Sequence, residues 1–149
     1  MLIKIIMLYR IYEWCYNIIY PESKNKFYYL SLIRENDSWS IHGLWPQYSA
    51  NQYPSFCKKV DFSYNSIKSL VPELKVFWYS NKDRDEQFWE HEWKKHGSCM
   101  FDDIDEYEYF NTTLKLYKEA LNKNLPNKYY NKNTNRCLIP INLNLNFIN

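Results

Sequence analysis

Glycine and histidine are scarce in this chain: two and three residues respectively among 149. Long apolar runs are missing too. A membrane-crossing helix needs about twenty consecutive apolar residues, and no such stretch is present, so no membrane span is expected. Charge of one sign is not in excess, since 19 Lys and Arg face 17 Asp and Glu for a net charge of +2. That excludes a global basic field as the means of binding a polyanion; a nucleic acid would have to be held by a local patch or by stacking on rings. The four cysteines, Cys15, Cys57, Cys99 and Cys137, contain no CxxC pair of the kind that holds zinc. Their even number fits two disulfides in an oxidising compartment, with three connectivities open, and equally four free thiols in a reducing one. No internal repeat or domain linker is found.

What is present describes one globular domain. Apolar residues make up 46% and charged ones 24%, close to average, whereas aromatic residues at 19% are unusually many. Residues 1–26 stand apart from the domain at 27–149. Their apolar stretch is broken by Lys4, Arg10 follows at once, and no small-residue cleavage site precedes Cys15. A degenerate leader, a misplaced start and an ordinary packed segment all remain open. Residues 27–33 read as a strand, 34–37 as a loop, and 38–44 as a second strand that Trp45 ends because a proline follows it. In that strand Ser40, His42 and Leu44 share one face, and Trp39 and Ile41 the other. Residues 47–57 form a loop. A short helix from Asp61 is stopped by Pro72. The acidic run of Asp102, Asp103, Asp105 and Glu106 starts a helix to about Asn122, with Tyr107, Phe110, Leu114, Tyr117, Ala120 and Leu121 as its core stripe. Residues 125–136 read as loop, and the alternation of Ile141, Leu143, Leu145 and Phe147 with asparagines reads as a strand. Asn36-Asp37-Ser38 and Asn111-Thr112-Thr113 are glycosylation sequons, relevant only to an exported chain.

All three histidines and both glycines fall in two stretches, 40–47 (Ser-Ile-His-Gly-Leu-Trp-Pro-Gln) and 88–99 (Phe-Trp-Glu-His-Glu-Trp-Lys-Lys-His-Gly-Ser-Cys). The second reads as a helix with acidic residues before it and with Gly97 taking the left-handed turn that ends it. At about 100° per residue, Phe88, His91, Glu92, Lys95 and His96 share one arc, with Trp89 and Trp93 beside it and Glu90 and Lys94 turned away. A zinc site does not fit, because His91 and His96 are five apart and diverge by about 140° around the axis. Glu92 lies one turn from both Lys95 and His96 and is within their reach. Each residue alone is explained by a solvated ion pair or a satisfied histidine. Grouped with His42, they suit acid–base chemistry without a metal: attack of a ribose 2′-hydroxyl on the adjacent phosphate, with one imidazole as base, another as acid, and a cation against the developing charge. Trp45, Phe88 and Tyr53 offer rings for unpaired bases.

The stretches at 41–46 and 88–99 resemble the paired active-site signatures of the ribonuclease T2 family, and the resemblance extends in less detail from Phe27 to Leu121. It implies an α+β fold, a mostly antiparallel sheet packed with helices, with a C-terminal part shortened to an Asn-rich tail. It implies a metal-independent endoribonuclease that cleaves single-stranded RNA to a 2′,3′-cyclic phosphate. His96 then matches the general base, His42 the general acid, Glu92 and Lys95 the groups that stabilise the transition state, His91 a phosphate-binding histidine and Trp45 a base-site aromatic. The resemblance also implies a Cys57–Cys99 disulfide, leaving Cys15 and Cys137 as what remains. The accompanying expectations are a secreted protein or one of the endolysosomal or vacuolar lumen, a monomer, and no cofactor. The competing class is a truncated, inactive relative that binds RNA or a protein through the same cleft.

Overall fold

The computed structural model describes residues 26–148. The segment set apart at 1–26 and the question of a Cys15–Cys137 pair therefore lie outside the described residues; Cys137 itself is a buried, free thiol.

Among the described residues four antiparallel strands, β1 (Phe27–Glu35), β2 (Ser38–Gln47), β3 (Tyr130–Asn131) and β4 (Arg136–Ile141), form one sheet in the order β2-β1-β4-β3. The first, β1 (Phe27–Glu35), places Tyr28, Leu30 and Leu32 on the core side, all fully buried. It turns into β2 (Ser38–Gln47) through Asn36 and Asp37 alone. Both take positive φ, 45° and 62°, the backbone of the two-residue type I′ turn that suits the twist of paired strands. The expected four-residue loop is thus a tight hairpin. Nor does Trp45 end β2: Pro46 pairs with Tyr28 and Gln47 with Phe27. Among the described residues β2 lies at the edge of the sheet, where a proline without a donor is tolerated.

The pairing slips by one residue where Leu32 opposes Ile41 but Ser31 opposes Gly43. His42 is the extra residue, a β-bulge. The expected alternation therefore fails halfway along the strand. Ile41 and Leu44 both enter the core, opposite Leu32 and Leu30, while Ser40, His42 and Trp45 face a cleft.

Four helical segments separate β2 from the long helix or form part of the cleft. They are α1 (Tyr64–Ile67), α2 (Val71–Phe77), α3 (Asp85–Lys95) and a 3-10 turn, Gly97–Cys99. Pro72 sits in the first turn of α2, so it starts a helix rather than stopping one: its missing N–H is a group that no helix of this kind would have used. The long helix α4 (Glu106–Asn122) opens with a capping box between Asp105 and Glu108. Its buried side is turned slightly from the expected stripe. Tyr109, Thr113 and Leu116 are buried, whereas Tyr107 and Leu121 are 38% and 39% exposed.

Residues 125–136 are not a loop. They form α5 (Leu125–Tyr129), β3 (Tyr130–Asn131) and a turn into β4 (Arg136–Ile141), which pairs with β1. The alternating tail is not a strand either: Asn142 Oδ1 accepts from the backbone N–H of Asn144 and Asn146, folding the chain back so that Phe147 bridges to Ile141. Asparagine side chains that bond the backbone two and four residues on favour turns over strands.

One face of the sheet, α4 and the indoles of Trp78, Trp89 and Trp93 enclose the core. The polar ends of its rings find carbonyls on β2: Tyr117 Oη donates to Trp39, Trp78 Nε1 to His42 and Tyr109 Oη to Leu44. Buried aromatic donors need such partners, and here they also fix the strand that carries His42.

Candidate active site

A cleft of about 670 Å³ runs between β2 and α3. His42, Trp45, Tyr53, Phe88, His91, Glu92, Lys95 and His96 all line it, so the eight residues singled out from the sequence are gathered in one place. The helix presents them because its other side is spoken for. Trp89 and Trp93 are buried, with their indole N–H groups donating to Trp78 O and Asp61 O, while Glu90 and Lys94 pair at 2.6 Å on the outer side.

Both glycines are required by close approach. A Cβ on Gly43 would come within 2.2 Å of Glu92 Oε2 and 2.5 Å of Trp45 Nε1. One on Gly97 would come within 2.2 Å of the Trp93 ring. Gly97 does not supply the expected left-handed turn, since no glycine has positive φ. The helix instead tightens through His96 into the 3-10 turn.

Glu92 does not reach back along its own helix to His96. Its Oε2 accepts from Trp45 Nε1 at 2.9 Å, and its Oε1 lies 3.7 Å from His42 Nε2. The carboxyl thus spans the gap from helix to strand. His96 lies against the indole face of Trp45, ring centres 5.1 Å apart and planes 26° apart. His42 meets the same indole edge-on at 5.2 Å and Phe88 at 5.3 Å. His91 turns toward Phe56, 6.1 Å away, and so diverges from His96 as the helical spacing requires. Tyr53, 54% exposed, stands at the rim, 6.3 Å from His96.

Burial sets the protonation of this group. Glu92 is 2% exposed, and desolvation pushes its carboxyl up to about 7 against the pull of the Trp45 bond and the Lys95 and Arg136 charges. Desolvation lowers His42 to about 4, helped first by the charge of Arg136 and then by those of Lys95, His91 and Lys82. His96 falls to about 3 through burial and then the charges of Lys95, His91 and His42. His91 is lowered by burial and by Lys95. The two shifts, one raising the carboxyl and the other lowering the imidazole, both work against an ion pair at the His42–Glu92 contact. The Nδ1 atoms of His42 and His96 are buried without a hydrogen-bond partner among the described residues.

The Cys57–Cys99 disulfide is formed. It ties the loop after β2 to the turn after α3, reinforced by Phe56 N–H to Lys95 O at 2.9 Å and Cys57 N–H to Ser98 Oγ at 3.1 Å. Both histidine-bearing stretches are thereby held at one end. No cluster of three or more His, Cys, Asp or Glu able to hold a metal ion occurs among the described residues, and no described helix is long and apolar enough to cross a membrane.

Arg136, Ser40, Tyr79 and Lys82 also line the cleft and escape sequence reasoning. Arg136 is the most consequential. It reaches the site only because β4 pairs with β1, with Arg136 opposite Ile33, and a single strand has no local signal for that pairing.

The architecture is that of known ribonucleases. RNase NT, solved with 5′-AMP, superposes with a TM-score of 0.67 over 85% of this chain and 90% of that one, at 20% identity. Sequence carries the assignment further: the ribonuclease T2 family matches across residues 5–136, and the chain belongs to that family. The match begins inside the N-terminal segment set apart above. Ribonuclease DdI of Dictyostelium discoideum is 41% identical over 88 residues, 58% of this chain and 40% of the relative. Ribonuclease T2 of Sus scrofa is 40% identical over 97 residues, 60% of this chain and 46% of the relative. The chain spans less than half the length of these relatives.

Proposed function

We propose that this protein is an endoribonuclease that cleaves single-stranded RNA by transesterification, needing no metal ion. The observation that carries the reading is the meeting of His42 and His96 on one indole, that of Trp45, in a single cleft. The two imidazoles come from a strand and a helix end 54 residues apart in the chain, yet one phosphodiester can lie against both.

His96, neutral above about pH 3, accepts the proton of the ribose 2′-hydroxyl. The oxygen attacks phosphorus, and the 5′-oxygen leaves with a proton from His42, giving a 2′,3′-cyclic phosphate that water opens more slowly. His42 must carry that proton, although burial and then the Arg136 charge lower its pKa to about 4. The substrate supplies the correction: a phosphodiester anion beside the ring offsets the Arg136 and Lys95 charges and favours imidazolium. Lys95 meets the charge that builds on the five-coordinate phosphorus, and His91 holds phosphate at the outer end of the cleft. Below about pH 7 the Glu92 carboxyl is protonated. Its Oε2 is engaged with Trp45, and a proton on Oε1 is free to donate to a phosphoryl oxygen, as a neutral acid held in a dry site does. Trp45, Phe88 and Tyr53 provide surfaces for bases. The disulfide fits an oxidising compartment, and we infer export or an endolysosomal or vacuolar lumen.

The test is turnover of uridylyl-guanosine with a chelator present, from pH 3 to 8. Release of a cyclic-phosphate product is expected. A dinucleotide left intact at high protein concentration would make the chain a binding module, and abolition by chelator would make it a metal-dependent hydrolase; either ends this reading.

A further inference from the structure

Arg136 has no part in the reaction just described, yet its charge is in the cleft. It arrives from the sheet rather than the helix: β4 lies on the opposite side of β1 from β2, and Arg136 and Ser40 both pair with Ile33. All three residues line the cleft. The guanidinium carbon stands 5.7 Å from the centre of the Trp45 ring, the indole that also carries both catalytic imidazoles. Its side chain is exposed. Among the described residues no carboxylate pairs with it, nor with Lys82 and Lys95 of the same cleft.

Two functions compete for such a residue. One is to cover the indole, as arginines do by cation–π contact; the other is to hold a planar fork of donors ready for an anion. Covering alone does not account for the site chosen. A guanidinium here is the foremost of the charges that burden His42, an arrangement that costs stability unless an anion relieves it.

We infer that Arg136 is a substrate-binding residue: it takes a non-bridging oxygen of a backbone phosphate of single-stranded nucleic acid from the sheet side of the cleft, while Lys95 serves from the helix side. The inference rests on the proposed reading of the cleft as an RNA site. It assigns the sheet's contribution to phosphate binding to a strand that follows α4, outside both histidine-bearing stretches.

The experiment uses a single-stranded all-deoxy oligonucleotide, which lacks the reacting hydroxyl and so reports binding alone. Affinity is measured across a salt series for the wild type, Arg136→Gln and Arg136→Lys, with thermal unfolding alongside. Arg136→Gln is expected to weaken binding about five- to tenfold at low salt and to flatten the slope of log affinity against log salt by about 0.7, the value for one lost phosphate contact on a single strand. Arg136→Lys should keep the slope and most of the affinity, and both variants should unfold as the wild type does. An unchanged slope in Arg136→Gln, equal losses in both variants, or no binding by the wild type would overturn the inference. A chain that binds as described but cleaves no RNA would instead overturn the proposed activity alone.

Discussion

Helices α3 and α4 flank the same sheet and use their buried sides in opposite ways. In α4 that side is Glu106, Tyr109, Phe110, Thr113, Leu114, Leu116, Tyr117 and Ala120. Its polar groups are bonded: the Glu106 carboxyl accepts from Ser63 N–H, Thr113 Oγ1 donates to Tyr109 O, and the two tyrosines donate to β2. In α3 and its C-cap, Glu92 and His96 are buried beside two tryptophans, and the Nδ1 of His96 has no hydrogen-bond partner among the described residues. Desolvation raises Glu106, Tyr109 and Tyr117 in α4 as it raises Glu92 in α3, but every one of the α4 groups is hydrogen-bonded, whereas α3 and its cap also bury an imidazole nitrogen without a described partner. A helix that keeps a desolvated carboxyl and imidazole where hydrocarbon would fit does so at some expense of stability.

The widest separation between the two helices should appear on single truncations. His42→Ala and His96→Ala should each lower RNA turnover by about 10³- to 10⁴-fold while unfolding no earlier than the wild type; wild-type turnover in either would end the two-histidine mechanism. Phe110→Ala in α4 should do the reverse, with a loss of about 3 to 5 kcal/mol in denaturant unfolding and near-normal turnover per folded molecule.

Glu92→Gln tests whether α3 bears a real cost. The folded carboxyl titrates near 7 against 4.5 in solution, so its stabilising effect is full below pH 4.5 and is lost as pH rises through 7. Glutamine keeps an acceptor for Trp45 and removes that loss. The variant should gain stability over the wild type between pH 4.5 and 7, reaching about 3 kcal/mol by pH 8, while turnover falls. A stability difference independent of pH would show that the carboxyl is not desolvated as the structure has it.

The histidines have the opposite sign. Lowered to about 4 and 3, they contribute stability that is present above pH 6.5 and lost as pH falls through those values. For activity, kcat/KM should rise as His96 loses its proton near pH 3 and fall about tenfold per pH unit above His42's value near 4. The alkaline limb of kcat should lie higher, since bound phosphate favours imidazolium; coincident limbs would contradict that. The smallest effect expected is in α4: Asp105→Ala removes the capping box and should cost about 1 kcal/mol with no change in the pH profile.

The two helices also differ in how far they could be read in advance. The α4 stripe shows in its periodicity, because core packing alone selects it, and the error of one side position at Tyr107 and Leu121 reflects where the sheet lies rather than the helix. In α3 the residue types and spacing were legible, but the reach of Glu92 to Trp45 instead of His96 was not. β1 was legible from its run of aromatic and aliphatic residues. β4 was not, because the alternation beyond it, 141–147, mimics a strand while Asn142 in fact ties a turn. Pro72 reads as a stop or a start by the same local rule, and only the packing of Val71 and Leu74 into the core decides for the start.

The sequence by itself determined which chemical groups this protein carries and on which local elements: a histidine on a strand, a carboxyl, an ammonium and two imidazoles on a helix arc, and the signatures of its family. Only the tertiary structure decided the bulge that turns His42 and Trp45 to one side, the arrival of Arg136 from a strand two positions across the sheet, and the desolvation that raises the Glu92 carboxyl and lowers the His42 imidazole. The physical reason is common to all three. Helical periodicity is written in neighbours a few residues apart, whereas strand register and desolvation depend on what distant segments lie against a group, and no local pattern specifies that.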